Sequence, residues 1–196
     1  MMDFIVATKN KDKLVEIRDI LADLPFHIIG MEEAGVHLDI DENASTFEGN
    51  ALIKAQALHN VVDGYCMADD SGLCIDALDG APGIYSARFF GRDSSYEEKI
   101  GELWRLLKDV PFEKRTAQFV CAIAVVAPDG SHFTVKEKVE GIIIDEMRGE
   151  NGFGYDPVFY VPSLGKTTAE IPEEEKNQIS HRGLALRAML DKLKQA

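Results

Sequence analysis

Phe4-Ile5-Val6-Ala7-Thr8-Lys9-Asn10-Lys11, read on through Leu14, Ile17, Leu21 and Leu24 to Phe26-His27-Ile28-Ile29, decides the fold class. Phe4–Ala7 is an apolar run of the length of a short buried strand, and Thr8–Lys11 supplies polar turn residues and candidate helix caps. The four apolar residues that follow recur at helical spacing, so they share one face, and Pro25 ends the helix because a proline ring disfavours helical geometry in the residue before it. Phe26–Ile29 is then a second strand, and strand, helix, strand in succession points to an α/β architecture.

Working outward, residues 30–45 are acidic and aperiodic, which predicts a loop. Ser45-Thr46-Phe47-Glu48 has the form of a capping box and opens a helix with Phe47, Ala51, Ala55 and Leu58 on one face. Tyr65-Cys66-Met67-Ala68 predicts a buried strand that stops at Asp69-Asp70-Ser71-Gly72 before Leu73-Cys74-Ile75 resumes an apolar run. Gly80-Ala81-Pro82-Gly83 is a turn cluster. Ile100, Leu103, Trp104 and Leu107 mark a helix between Ser94 and Lys108, in which Trp104 serves packing. Gln118–Ala127 and Ser131–Ile144, joined by Pro128-Asp129-Gly130, form a long β-hairpin. A short strand lies around Val158–Val161, and a last helix carries Leu186, Met189, Leu190 and Leu193 on one side. A hairpin among such units requires a mixed sheet rather than a purely parallel one, in one domain spanning 1–196.

A chain of 196 residues, 45% hydrophobic, buries a core without disulfides. Cys66, Cys74 and Cys121 form no metal-ligand pair and read as reduced core residues. With 34 acidic against 21 basic residues and a formal net charge of -13, the chain lacks the material for a broad electropositive face, which argues against nucleic acid as a partner. A phosphorylated small molecule stays compatible, since a metal and a few local cations reverse the sign inside a cleft. The opening Met1-Met2-Asp3 lacks the basic flank of a signal peptide, and no stretch reaches the ~20 apolar residues of a membrane helix. A cytoplasmic protein without a membrane partner is expected.

The chemistry concentrates in a few places. Adjacent carboxylates at Asp69-Asp70 repel each other, a cost that a hard cation offsets, and on extended chain they point to opposite sides, so one ligates while the other orients or contacts water. Asp69-Asp70-Ser71-Gly72 reads equally as a solvated acidic turn, with Gly72 giving backbone freedom. Asp41-Glu42 offers a second carboxylate for the ion, or simply acids placed ahead of a helix N-terminus by its dipole. Thr8-Lys9-Asn10-Lys11-Asp12-Lys13, between strand and helix, has the lysines and free backbone N–H groups to hold phosphates, although it is not a Walker A loop, and Gly165-Lys166-Thr167 misses that motif at Tyr160. Phe153-Gly154-Tyr155-Asp156, in a glycine-rich run, combines rings and a carboxylate suited to a flat base, or forms a turn. Lys176, Ser180, His181 and Arg182, in the polar stretch before the last helix, are candidate donors to phosphate or to a base carbonyl, or surface residues.

In order along the chain, Ala7-Thr8-Lys9-Asn10-x-x-Lys13-x-x-Glu16-Ile17, Thr46-Phe47-x-x-Asn50-Ala51-x-x-Lys54-Ala55, Ala68-Asp69-Asp70-Ser71-Gly72-Leu73, Gly80-Ala81-Pro82-Gly83-Ile84-Tyr85-Ser86-Ala87-Arg88, Gly152-Phe153-Gly154-Tyr155-Asp156-Pro157 and Ser180-His181-Arg182 closely resemble the Ham1/RdgB-like family of non-canonical purine nucleoside triphosphate pyrophosphatases, the inosine triphosphatase family. The resemblance implies a two-lobed α/β fold around a long mixed sheet, with the active-site cleft between lobes. It also implies a homodimer, a Mg2+ requirement, and hydrolysis of ITP, dITP and XTP to the monophosphate and pyrophosphate. Carried over by position, Thr8, Lys9, Asn10, Lys11, Asp12 and Lys13 meet the triphosphate, Asp70 is general base and metal ligand, and Glu42 is the other metal ligand. Ser71, Phe153, Gly154, Tyr155, Asp156, Lys176, His181 and Arg182 hold the nucleotide. One departure stands out: where many relatives read Glu-Asn-Ala, this chain reads Gly49-Asn50-Ala51. Two other readings use the same residues: a phosphomonoesterase with Asp69 or Asp70 as nucleophile, and a nucleotide-binding regulator without turnover.

Overall fold

The structure is a computed structural model that describes residues 2–195. Seven strands form one mixed sheet in the order β2-β1-β3-β4-β5-β6-β7, with β1 Met2–Val6, β2 Phe26–Gly30, β3 Tyr65–Ile75, β4 Thr116–Val126, β5 His132–Ile143, β6 Phe159–Val161 and β7 Lys166–Thr167. The helices are α1 Lys11–Leu21, α2 Phe47–His59, α3 Tyr96–Leu107, α4 Glu173–Ile179 and α5 His181–Leu193. β1 pairs in parallel with β2 and β3, while β6 pairs antiparallel with β5 and β7, so the α/β class and the mixed sheet are as the sequence predicts. The chain divides into two compact units. One holds the residues up to Asp70, Cys121–Glu137 and those from Arg182 onward; the other holds Ser71–Val120 and Lys138–His181.

In the first unit the strands obey the two-residue period strictly, because both faces of the sheet are covered. Phe4, Val6, Met67, Cys121, Ile123 and Val125 share one core with Ile17 and Leu21 of α1 and Ala185, Leu186 and Met189 of α5. Their neighbours Ile5, Ala7, Cys66, Ala68, Ala122, Ala124 and Val126 form a second core with Ala51, Ala55 and Leu58 of α2. Alanines dominate this second core, which lets α2 lie close to the strands. Each large side chain fully buried here contributes roughly 1.5–3 kcal/mol relative to exposure. In the second unit, Ile100, Leu103 and Leu107 of α3 pack with Leu73, Ile75, Phe119 and Phe159. Trp104 completes that packing, and its indole N–H donates to the Ile144 carbonyl at 2.8 Å.

Three local expectations are corrected. β3 does not stop before Asp69; it runs unbroken through Asp69-Asp70-Ser71-Gly72 to Ile75, because both acids find charged partners and Gly72 is accommodated in extended chain. The Ser45–Glu48 capping box does not form. The N-cap of α2 is Thr46, whose hydroxyl accepts from Gly49 N–H at 3.1 Å, and the Glu48 carboxylate instead pairs with Lys136 at 2.5 Å. Lys176, Ser180, His181 and Arg182 do not all precede the last helix: Lys176 lies in the short helix α4 before it, but His181 and Arg182 are the first residues of α5 itself. All three cysteines are free thiols; Cys66 and Cys121 are buried and Cys74 is partly exposed. Among the described residues no helix is long and apolar enough to cross a membrane.

The cap assignment is directly testable. Thr46→Ala should lower the unfolding free energy by about 1 kcal/mol in a urea titration, the usual cost of losing an N-cap. Ser45→Ala should leave it within about 0.5 kcal/mol of the parent.

Candidate active site

β1 hands the chain to α1 through a short polar turn. The Ala7 N–H still pairs with Met67 of β3, at 2.8 Å, so the turn begins beside the strand that carries the acids. The Thr8 hydroxyl accepts from Asn10 N–H, and Asn10 Oδ1 caps α1 by accepting from Lys13 N–H, each at 3.1 Å. This capping aims the first turn of the helix: Lys13 turns inward, its ammonium 3.0 Å from Asp69 Oδ2, while Lys11 and Asp12 are exposed. Lys9 pairs with Asp39 at the surface, 3.2 Å away. Of the six residues expected to meet a phosphate chain, the structure therefore joins Lys13 to the acids and keeps Thr8 and Asn10 as the frame of the turn.

Asp69 and Asp70 follow the alternation of β3 to opposite faces. Asp69, 2% exposed, belongs to the face covered by α1 and α5, where Glu16, Lys13 and Arg182 surround it. Arg182, also 2% exposed, is ion-paired with Glu16 and reaches Asp69 Oδ2 at 3.4 Å. Burial works to raise the Asp69 carboxyl, but the charges of Lys13, Arg182 and Lys54 outweigh it and hold the group well below the usual carboxylate range. Among the described residues its Oδ1 has no hydrogen-bond partner.

Asp70 faces α2. Its Oδ2 accepts from the Asn50 amide at 3.1 Å, and its Oδ1 lies 3.9 Å from the Lys54 ammonium, which also contacts Glu42 Oε2 at 2.8 Å. Asn50 and Lys54 stand four apart on the helix, so both reach the same carboxylate. Burial pushes the Asp70 carboxyl up, and the pull of Lys54 and Lys13 only partly offsets it. Lys54, penalised by the same burial, is nevertheless held in its charged form by Asp69, Asp70 and Glu42. Glu42 and Asp70, from distant stretches, thus converge on one cationic group. Asp41, next to Glu42, is exposed. Asn50, Lys54 and Glu16 had no role in the reading of the residues alone. The available signal was polar side chains at helical spacing among the apolar positions of α1 and α2.

In the second unit the glycine-rich run closes on a buried ion pair. Asp156, 3% exposed, accepts from Phe153 N–H at 2.9 Å, from the Thr168 hydroxyl at 2.8 Å and from the Lys176 ammonium at 2.8 Å. Lys176 stands 5.4 Å from the centre of the Phe153 ring, which it faces as a cation over an aromatic plane. Gly152 has φ 71°, and a Cβ there would collide with the Asp156 carboxylate, so the turn requires glycine. His181 stacks on Phe119, ring centres 4.9 Å apart and planes within 19°. A small cavity is bounded by Phe119, Asp156, Lys176, Ser180 and His181. Tyr155 instead belongs to the core, its hydroxyl donating to the Ser86 carbonyl at 2.8 Å. Gly154 lies near the Tyr96 ring, and Ser71 is a partly exposed residue of β3.

The sequence pattern of the Ham1 family matches residues 4–192. A dITP/XTP pyrophosphatase of Geobacter sulfurreducens is 47% identical over 193 residues, covering 98% of this chain and 97% of that protein. One from Caldanaerobacter subterraneus is 50% identical, covering 95% of this chain and 93% of its own. Among solved structures, the Staphylococcus aureus Ham1 protein superposes with a TM-score of 0.88 at 42% identity, over 98% of each chain, and a HAM1 protein from Coxiella burnetii with 0.89 at 40%, over 100% of each.

The Asp156–Lys176 pair supplies a stability test. Asp156→Ala breaks a buried ion pair by removing one partner, and chemical denaturation should show a loss of about 3–5 kcal/mol.

Proposed function

Because the chain belongs to the Ham1 family, we propose that it hydrolyses non-canonical purine nucleoside triphosphates (ITP, dITP and XTP) to the monophosphate and pyrophosphate, in the cytoplasmic nucleotide pool. The observation that carries the reading is the convergence of Glu42 and Asp70 on the single ammonium of Lys54, in the unit whose Lys13 turns inward from the β1–α1 turn.

The donor set suits Mg2+. Glu42 and Asp70 are hard oxygen ligands, one or two protein carboxylates are usual for this ion beside phosphate oxygens and water, and the pair already attracts one positive charge. Glu42 is the partner of Asp70 in this reading because its side chain meets Lys54, whereas Asp41 is exposed. When bound, the ion neutralises phosphate charge and acidifies a coordinated water. The chain's own groups do the rest. The Lys13 ammonium and the first-turn N–H groups of Lys11 and Asp12 in α1 share the charge of the triphosphate. Asp70, oriented by Asn50, aligns the attacking water and takes its proton, so that the α-phosphorus is attacked and pyrophosphate leaves.

The keto-purine preference rests on the second unit. Donors at Lys176, Ser180 and His181 suit a 6-keto oxygen, and Phe153 offers a ring to the flat base. Adenine presents an amino group to such a donor and leaves it unpaired, a penalty of roughly 1–3 kcal/mol. Ser71 and Gly154 remain proposed nucleotide contacts, while Asp156 and Tyr155 serve the same site by shaping the turn. Arg182, enclosed with Glu16 and Asp69, acts through the acidic cluster. A homodimer is proposed on the family resemblance, supported by the exposure of Tyr85 and Phe90.

Incubated with ITP and Mg2+, the protein should release IMP and pyrophosphate in equal amounts, resolved by ion-exchange chromatography; IDP with orthophosphate would instead identify a phosphomonoesterase. Asp70→Asn should lower kcat by about 10²–10⁴-fold, the typical share of a general base, while nucleotide binding stays measurable. An inactive parent protein that binds ITP would mark a regulator. On a substrate panel, kcat/KM for ITP should exceed that for ATP by about tenfold or more, the factor that an unpaired donor costs; equal values would refute the keto preference.

A further inference from the structure

We infer that Asn50 is a positioning residue that sets the separation of the two acidic groups, a role that rests on the magnesium reading given above. Asn50 is fully buried, in the first turns of α2, on the face that packs against the strands. Its side-chain amide is used at both ends: Nδ2 donates to Asp70 Oδ2 at 3.1 Å, and Oδ1 accepts from the Ala44 backbone N–H at 3.0 Å. Ala44 stands two residues beyond Glu42, in the irregular segment between β2 and α2. One rigid planar group therefore ties the strand that bears Asp70 to the segment that bears Glu42.

The bridge is directional. Asp70 requires a donor and Ala44 N–H an acceptor, and a buried carboxamide is the one side chain of that length that satisfies both without adding a charge beside two carboxylates. The neighbouring position reinforces it. A Cβ at Gly49 would stand 2.6 Å from Ala44 Cβ and 3.0 Å from Thr46 Oγ1, so glycine there allows the Glu42 segment to seat directly on the helix. Lys54, one turn on from Asn50, contacts both acids but on a flexible stem, so it supplies charge and leaves the spacing to Asn50.

The test uses Mn2+ as a paramagnetic stand-in, titrated against the full chain with ITP carrying a non-hydrolysable α,β-methylene bridge and followed by electron paramagnetic resonance. Asn50→Ala should weaken Mn2+ binding at least tenfold, while the thermal midpoint stays within a few degrees of the parent and affinity for the analogue without metal is unchanged. In turnover, kcat should fall at least tenfold with the nucleotide KM unmoved. Asn50→Asp keeps the shape and the acceptor for Ala44 but removes the donor to Asp70, and its kcat should fall similarly; it also serves if the alanine variant folds poorly. Parent-like Mn2+ binding in Asn50→Ala, parent-like kcat in Asn50→Asp, or a joint loss of metal binding, analogue binding and thermal stability would each overturn the inference and leave the pyrophosphatase reading intact. No Mn2+ binding by the parent protein would overturn the magnesium reading itself, and this inference with it.

Discussion

The candidate site depends on a property of extended chain: consecutive side chains leave a strand on opposite faces. β3 carries two acids in succession, and the alternation that buries Met67 with α1 and α5, and Cys66 and Ala68 with α2, delivers Asp69 to the first face and Asp70 to the second. The two carboxylates are thereby kept from sharing one environment. Asp69 is enclosed with cations and stays ionised, whereas burial biases Asp70 toward holding a proton. Divergent environments for neighbouring acids are a recognisable way of separating a structural charge from a chemical one.

Each acid is served by a helix whose polar residues follow helical spacing. On α1, Lys13 and Glu16 stand three apart, one beside Asp69 and the other beside Arg182, so positive and negative charges alternate through the buried cluster. Removing water from such groups is expensive, and it is tolerated only because each is met by an opposite charge. On α2, Asn50 and Lys54 do the corresponding work for Asp70. The alanines of the same helix bring it near enough to β3 for a side chain as short as asparagine to reach. Packing and chemistry are here one requirement.

Much of this was legible in the residues. The strand–helix–strand start, the hairpin from β4 to β5 and the last helix all follow from periodicity, because apolar runs of those lengths have few other ways to be buried. Asp69-Asp70 was visible as a charged pair needing compensation, and its opposite-facing geometry follows from strand period alone. What the residues concealed depends on partners remote in the chain. The acids looked like a strand end because an unpaired carboxylate belongs in water, and only Lys13, Arg182 and Lys54 make an interior position tolerable. The Ser45–Glu48 cap looked sound locally, yet Lys136 of β5 takes the glutamate. Nor could the residues alone show that Asp156 also anchors a turn, because its partner Lys176 lies 20 residues away.

Lys54 between Glu42 and Asp70 has a bearing on how the molecule is assembled. Two carboxylates drawn together in a poorly hydrated place would ordinarily oppose compaction until an ion arrived from solution, as happens in small domains that remain unfolded without their metal. Here the countercharge is encoded in the chain itself and is delivered by the same helix that docks on the strands. The acidic pair can therefore form during folding without an ion from solution, so the proposed Mg2+ would be needed for the reaction and not for the scaffold.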